Sequence, residues 1–190
     1  MEGIKAFLKR KNIEISAKRY GIDALGAMAQ GLFASLLIGT IINTVGTQFG
    51  IGFLTQAVVT VGSGEKAVAY TVGGLASAMS GPAMACAIGY ALQAPPLVLF
   101  SLITVGFASN ALGGAGGPLA VLFVAILAAE AGKAVSKETK IDILVTPLVT
   151  IFVGVALSAW WAPAIGKAAS SIGGIIMWAT GLQPFFMGIV

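Results

Sequence analysis

The chain has 190 residues, of which 57% are hydrophobic and only 9% charged, against about 25% charged in soluble domains. Such a composition cannot cover a soluble surface of this size with polar groups, so the sequence is that of an integral membrane protein. A single cysteine, Cys86, and the lack of histidine exclude an internal disulfide, a multi-cysteine zinc site and the usual proton shuttle.

The net charge of +4 comes largely from the N-terminus. Lys5, Lys9, Arg10, Lys11, Lys18 and Arg19 stand there against Glu2, Glu14 and Asp23. This reads as membrane orientation rather than nucleic-acid binding, and it places the N-terminus in the cytoplasm. Ile4, Phe7 and Leu8 follow helical spacing, so residues 1–23 form an amphipathic segment that lies on lipid headgroups. The transmembrane domain is then 24–190.

Charges vanish from Ala24 to Gly64. Residues 24–45 make one good span, with Ala27, Gly31, Ser35 and Gly39 forming a small-residue face. The stretch 46–64 is rich in Gly, Thr and Gln, which suits a re-entrant or interfacial segment better than a lipid-facing helix. A second uncharged region runs from Ala67 to Ala129, roughly 95 Å as helix, or three crossings of a core roughly 30 Å thick. In the first of these, Ala69, Gly73, Ser77, Gly81, Ala85 and Gly89 recur at every fourth position, a face on which another helix can pack backbone to backbone. Pro82 is expected to kink it. Pro95-Pro96 ends it. The second crossing is Leu97–Leu112, and the glycine cluster 113–117 separates it from a third, Pro118–Ala129.

Residues 130–142 form the hydrophilic internal loop, with Lys133, Lys137 and Lys140 among three acidic groups. One crossing before Glu65 and three after it return this loop to the cytoplasmic side, as the positive-inside rule asks. Glu130 and Lys133 are expected to pair at an ordinary solvated helix end. Ile143–Trp161 is a fifth span, with Trp160 and Trp161 at its outer interface. Residues 162–174 read as an amphipathic connector, and a sixth apolar run from Ile175 carries Gln183-Pro184 inside it. A chain that is still apolar at Val190 is expected to be the N-terminal part of a longer polytopic protein. The fold class is thus all-α: a polytopic helix bundle with about six spans, a re-entrant or broken segment and an N-terminal amphipathic helix.

Helix breaks deep in uncharged sequence are tolerable where the backbone is buried in protein or lines a wet cavity. That is how transporters build solute sites. The candidate substrate-binding residues are therefore Asn110, Gly113, Gly114, Gly116 and Gly117 at one break, Asn43 and Gln48 at another, and Gln93 beside the proline pair, where it caps carbonyls. The glycine cluster lacks the Lys-Ser/Thr of a nucleotide loop. It also serves as a plain turn between helices, and a lone amide in a bundle is more often satisfied by a neighbouring helix than by a ligand. Cys86, with no basic neighbour, reads as packing. No acid–base pair, metal cluster or nucleophile–base set is found in the spans, so neither an enzyme nor a cofactor is expected.

The runs GPAMACAIGYALQAPPLVLFS (81–101) and ASNALGGAGGPLAVLFVAILAAEAGK (108–133) resemble the IIC-like membrane proteins of the bacterial phosphotransferase system, in the branch that includes perfringolysin O regulators. RYGIDALGAMAQGLFASLLIGTIINTVG (19–46) is similar to that family's opening segment, and the likeness covers most of the chain. It implies a permease in the bacterial inner membrane that binds and translocates a sugar or similar polar solute as a homodimer, with phosphoryl transfer done by separate IIA and IIB units. Well-understood sugar IIC proteins hold substrate with a histidine and a glutamate. This chain has no histidine, so its contacts differ or lie further along a longer protein. The alternative is a membrane-embedded regulator that senses a ligand and signals through 1–23 and 130–142 without transport. A purely structural scaffold would bind nothing saturably.

Overall fold

A computed structural model describes residues 2–64 and 67–182. Helix α1 spans Glu2–Arg10, and α2 is the rod Lys18–Phe49, with wide π-type turns at Lys18–Asp23 and Phe33–Leu37. A short α3 (Gly52–Thr55) precedes strands β1 (Val59–Val61) and β2 (Val68–Tyr70). Then come α4 (Val72–Ala78), α5 (Ser80–Ala91), α6 (Pro96–Gly113), α7 (Gly117–Val135) and α8 (Asp142–Leu182). The all-α expectation holds apart from the two strands, which pair antiparallel with Val59 opposite Tyr70.

Three helical runs are long and apolar enough to cross a membrane, Lys18–Phe49, Pro96–Val135 and Asp142–Gly174, and the bent pair α4–α5 is a fourth if its two helices are taken as one broken span. The run Pro96–Val135 folds back on itself at the glycine cluster, where Gly114 has φ +50°. Gly132 near the end of α7 accordingly lies against Val98 near the start of α6. Each arm is roughly 27 Å long, close to the thickness of the hydrocarbon core. Six crossings are not reached among the described residues. The expected fifth span, the connector 162–174 and the beginning of the sixth run are one helix, α8, which continues through Pro147 and Pro163. Proline is tolerated in membrane helices when neighbouring groups satisfy the freed carbonyl. Gln183-Pro184 lies outside the described residues.

The Gly/Thr/Gln-rich stretch after Gly46 is not a second crossing. Gly50, at φ 63°, stops α2 in the left-handed region, and α3 with the hairpin follows. The bend between α4 and α5 is 50° and falls at Met79, not at Pro82. Pro82 sits in the first turn of α5 and has no N–H to offer the carbonyl four residues back, so the break lies upstream of the proline that causes it.

The four-residue stripe is divided by this bend between two partners. Above the bend a side chain on Gly73 would strike the Gly39 carbonyl, and one on Gly39 would strike Ser77. Below it, Gly81 and Gly106 face one another in the same reciprocal way. Both crossings bring helix backbones into contact because neither partner carries a β-carbon there. Gly31 of α2 likewise lies against Ala83 and Met84. Between these crossings α5, α6 and α7 close a core of Met84, Ile88, Leu92, Val98, Leu102, Val105, Val121 and Val124, each fully buried. A buried hydroxyl pair, Ser109 Oγ and Ser158 Oγ at 2.7 Å, joins α6 to α8. Such pairs hold membrane helices together where apolar packing alone competes with lipid.

Candidate functional site

The predicted site residues fall into three separate places. Asn43, on α2, accepts a hydrogen bond from the Thr71 hydroxyl at 2.8 Å, and Thr71 in turn caps α4 by accepting from the Gly74 amide. Asn110, near the end of α6, donates from Nδ2 to Ser80 Oγ at 3.4 Å and packs against Gly81 and Gly117. The two amides therefore stand at different points of the broken helix, Asn43 at the first turn of α4 and Asn110 beside the bend, at the start of α5. Gln48 lies exposed on α2, five residues beyond Asn43.

Gly113 and Gly114 border an open cleft of about 600 Å³ shared with Gly166, Lys167, Ser170 and Ser171 of α8. Asn110 is not part of its lining. Gly116 and Gly117 are buried instead, Gly116 against Ile165 and Ala169.

Gln93 sits at the opposite end of the bundle. It occupies the left-handed region at φ 54° as the stop residue of α5. Its amide donates to the Tyr90 carbonyl and the Ala94 amide to the Gly89 carbonyl, each at 2.9 Å, the paired bonds of a Schellman cap. The capping thus comes from backbone amides, not from the Gln93 side chain, whose Oε1 accepts from Asn12 Nδ2 at 2.6 Å.

This cap leaves the Leu92 carbonyl outward at the negative end of α5, and two buried cations converge on it. Arg19 Nη2 donates at 2.8 Å and Lys133 Nζ at 3.1 Å. Cations at a helix C-terminus are favoured by the aligned peptide dipoles. Lys133 is only 1% exposed, so the Glu130–Lys133 pair is not the solvated helix end expected from the sequence. Glu130 Oε1 accepts from both Lys133 Nζ and the Tyr20 hydroxyl, each at 3.1 Å. Its Oε2 lies 2.9 Å from Nζ but outside hydrogen-bonding angles, and is buried without a hydrogen bond. Nothing in the sequence reading pointed to Arg19, Tyr20 or Leu92. The available signal was a charged pair inside an otherwise apolar helix, ILAAEAGKAV.

A second set of contacts clasps α1 to the loop after α7. Arg10 Nη2 reaches Glu138 Oε1 at 2.8 Å, and Lys11 Nζ meets the same carboxylate and the Ser136 carbonyl. The hydrogen bond from Lys11 holds the Glu138 carboxyl below its ordinary value of 4.5. A group whose pKa is lowered by folding contributes its full stabilisation above the unfolded value and loses it as pH falls through the lowered one. The clasp should therefore hold at neutral pH and open in acid below 4.5. Amide exchange of residues 6–13, compared between neutral pH and about pH 3.5 after correction for intrinsic rates, checks this. Protection should drop in the wild type and be weak at both pH values in Glu138→Gln; equal protection throughout would refute the clasp.

Among the described residues, no three histidine, cysteine or carboxylate side chains gather closely enough to hold a metal ion. What the fold and its polar groups define is an apolar, broken-helix membrane bundle. Residues 22–190 match the family model described as Phosphotransferase system, EIIC, and the chain belongs to that family. It is accordingly a membrane permease component of the phosphotransferase system, a transporter part rather than a catalyst on its own. No curated protein and no solved structure matches the chain.

Proposed function

We propose that the chain translocates a sugar or similar uncharged polar solute across the bacterial inner membrane, working as a homodimer with separate IIA and IIB units. The observation that carries this reading is the bend at Met79 in uncharged sequence, with the Asn110 amide beside it and the Asn43 amide at the start of α4, in a chain of the EIIC family. At such a break the N-terminal amides of the following half-helix are freed toward a solute. In this reading Ser80 and Asn110 line the pathway at the bend with Gly116 and Gly117 packed behind them, Gly113 and Gly114 border the cleft with α8, Asn43 lies at the start of α4, and Gln48 and Gln93 lie toward the two mouths. Segment 1–23 and loop 130–142 gather at one end of the bundle, which supports a cytoplasmic N-terminus under the positive-inside rule. The same bundle presents long apolar side chains such as Phe100, Phe107 and Phe152 outward, where membrane lipids would contact them.

Asn110→Ala tests the site. In right-side-out vesicles holding the full-length protein and its cytoplasmic units, uptake of the transported sugar should fall by about tenfold or more, the effect of losing one hydrogen bond to a polar substrate. Uptake and affinity at the wild-type level would remove Asn110 from the pathway. A regulator is favoured instead by the clasp between α1 and residues 136–138. Capture of a cytoplasmic partner by those segments, with no flux in any variant, would select it.

A further inference from the structure

At the end of the bundle away from the glycine turn, a cleft of about 400 Å³ opens between α1, the α5–α6 turn and the loop after α7. Four cations, Arg10, Lys11, Lys133 and Lys137, line it with the single carboxylate Glu138 and the amides of Asn12 and Gln93. Glu130 and Asp142 stand behind this wall, Glu130 on Lys133 and Asp142 on the Lys137 amide and Thr146 hydroxyl. Counting both, positive charge remains in excess at the cleft. Arg10 and Lys11 share one carboxylate, and the Lys137 side chain is exposed.

Left-handed turns also converge on the cleft. The non-glycine residues with positive φ among those described are Asn12 (54°), Gln93 (54°) and Lys137 (62°), and all three line it. Two of them are helix stops, Gln93 at the end of α5 and Asn12 at the end of α1, where the Asn12 amide donates to the Lys9 carbonyl and the Ile13 amide to the Leu8 carbonyl, so the chain turns sharply there and sets both side chains on the rim of one cleft. Arg10 from α1, Lys137 from the loop after α7 and the Gln93 carboxamide from the α5–α6 turn approach from three segments, an arrangement that suits the several oxygens of a phosphate group.

We propose that this cleft binds a phosphate group at the membrane surface, either the headgroup of an anionic phospholipid or a free phosphate. This goes beyond the transport reading and does not depend on it, since the site lies at the other end of the bundle from the Met79 bend. The full chain, reconstituted in phosphatidylcholine nanodiscs, is heated with increasing inorganic phosphate at constant ionic strength set by chloride, because simple screening must be held fixed. A parallel series replaces part of the phosphatidylcholine with phosphatidylglycerol. A ligand that binds the folded state raises Tm with its concentration.

At least one series should raise Tm, and Arg10→Gln/Lys137→Gln should weaken the apparent affinity in that series by about tenfold. Lys137→Gln alone, which leaves the Arg10–Glu138 clasp intact, should show a smaller loss in the same direction. A response to phosphate alone assigns a free phosphate ligand, and a response to phosphatidylglycerol alone assigns the headgroup. No shift in either series, or the same shift in wild type and both variants, overturns the proposal.

Discussion

Replacing Lys133 with methionine is expected to destabilise the folded protein by about 3–5 kcal/mol, the cost of leaving a buried charge without its partner. The side chain is nearly inaccessible, and its ammonium serves both the Leu92 carbonyl and Glu130. Without it Glu130 keeps only the Tyr20 hydroxyl, and the end of α5 keeps only Arg19. The comparison that separates charge from packing is Glu130→Leu/Lys133→Met. Removing both ions relieves the stranded carboxylate, so the double variant should recover about half the loss or more. Unfolding free energies from titration of sodium dodecyl sulfate into dodecyl maltoside micelles supply the readout. Additive losses in the double variant would mean that the two residues do not act as a pair.

The other large effect concerns Gly81. A β-carbon there meets the Gly106 carbonyl and the Asn110 β-carbon, so Gly81→Val forces α5 and α6 apart. Overpacking a close crossing costs about 3 kcal/mol or somewhat more. Gly26→Ala is the matched control, because a β-carbon at Gly26 meets nothing within 4 Å. It should be neutral, or stabilising by up to about 1 kcal/mol through helix propensity. Thermal unfolding followed by monodispersity on gel filtration compares the two. A Gly81→Val protein as stable as Gly26→Ala would show that the helices do not touch there.

The crossings were legible in the sequence because a four-residue repeat of small side chains, 69 to 89, has few explanations besides a helix–helix contact. The break after Gln93 and the glycine turn could be read for a similar reason, since proline and glycine act through local backbone rules. The clasp and the Leu92 cradle could not be read. Each joins residues far apart in the chain, such as Arg10 with Glu138, and relies on a carbonyl that has no sequence signature. Strands of three residues are too short for alternation to declare itself, so the hairpin stayed hidden in a Gly/Thr-rich stretch. The sequence separates a fifth span from a connector at 162, yet α8 runs through Pro163, because proline loses its power to end a helix when lipid leaves the backbone no alternative to intrahelical bonding. For the candidate site, residue type singled out four amides, of which the fold places Asn110 against Ser80 beside the bend, Asn43 against Thr71 at the start of α4, Gln48 on the exposed side of α2 and Gln93 at the opposite end of the bundle.

The division of the small-residue stripe at Met79 also fixes the length of the chain there. One half of the repeat is keyed to Gly39 and the other to Gly106, so the two halves must keep a common phase around the helix axis. A single residue inserted between Met79 and Ser80 would rotate everything downstream by about 100° and turn Ala83 or its neighbours, rather than Gly81, toward α6. At this joint insertions and deletions should be excluded even though the joint itself is bent and partly open to its surroundings.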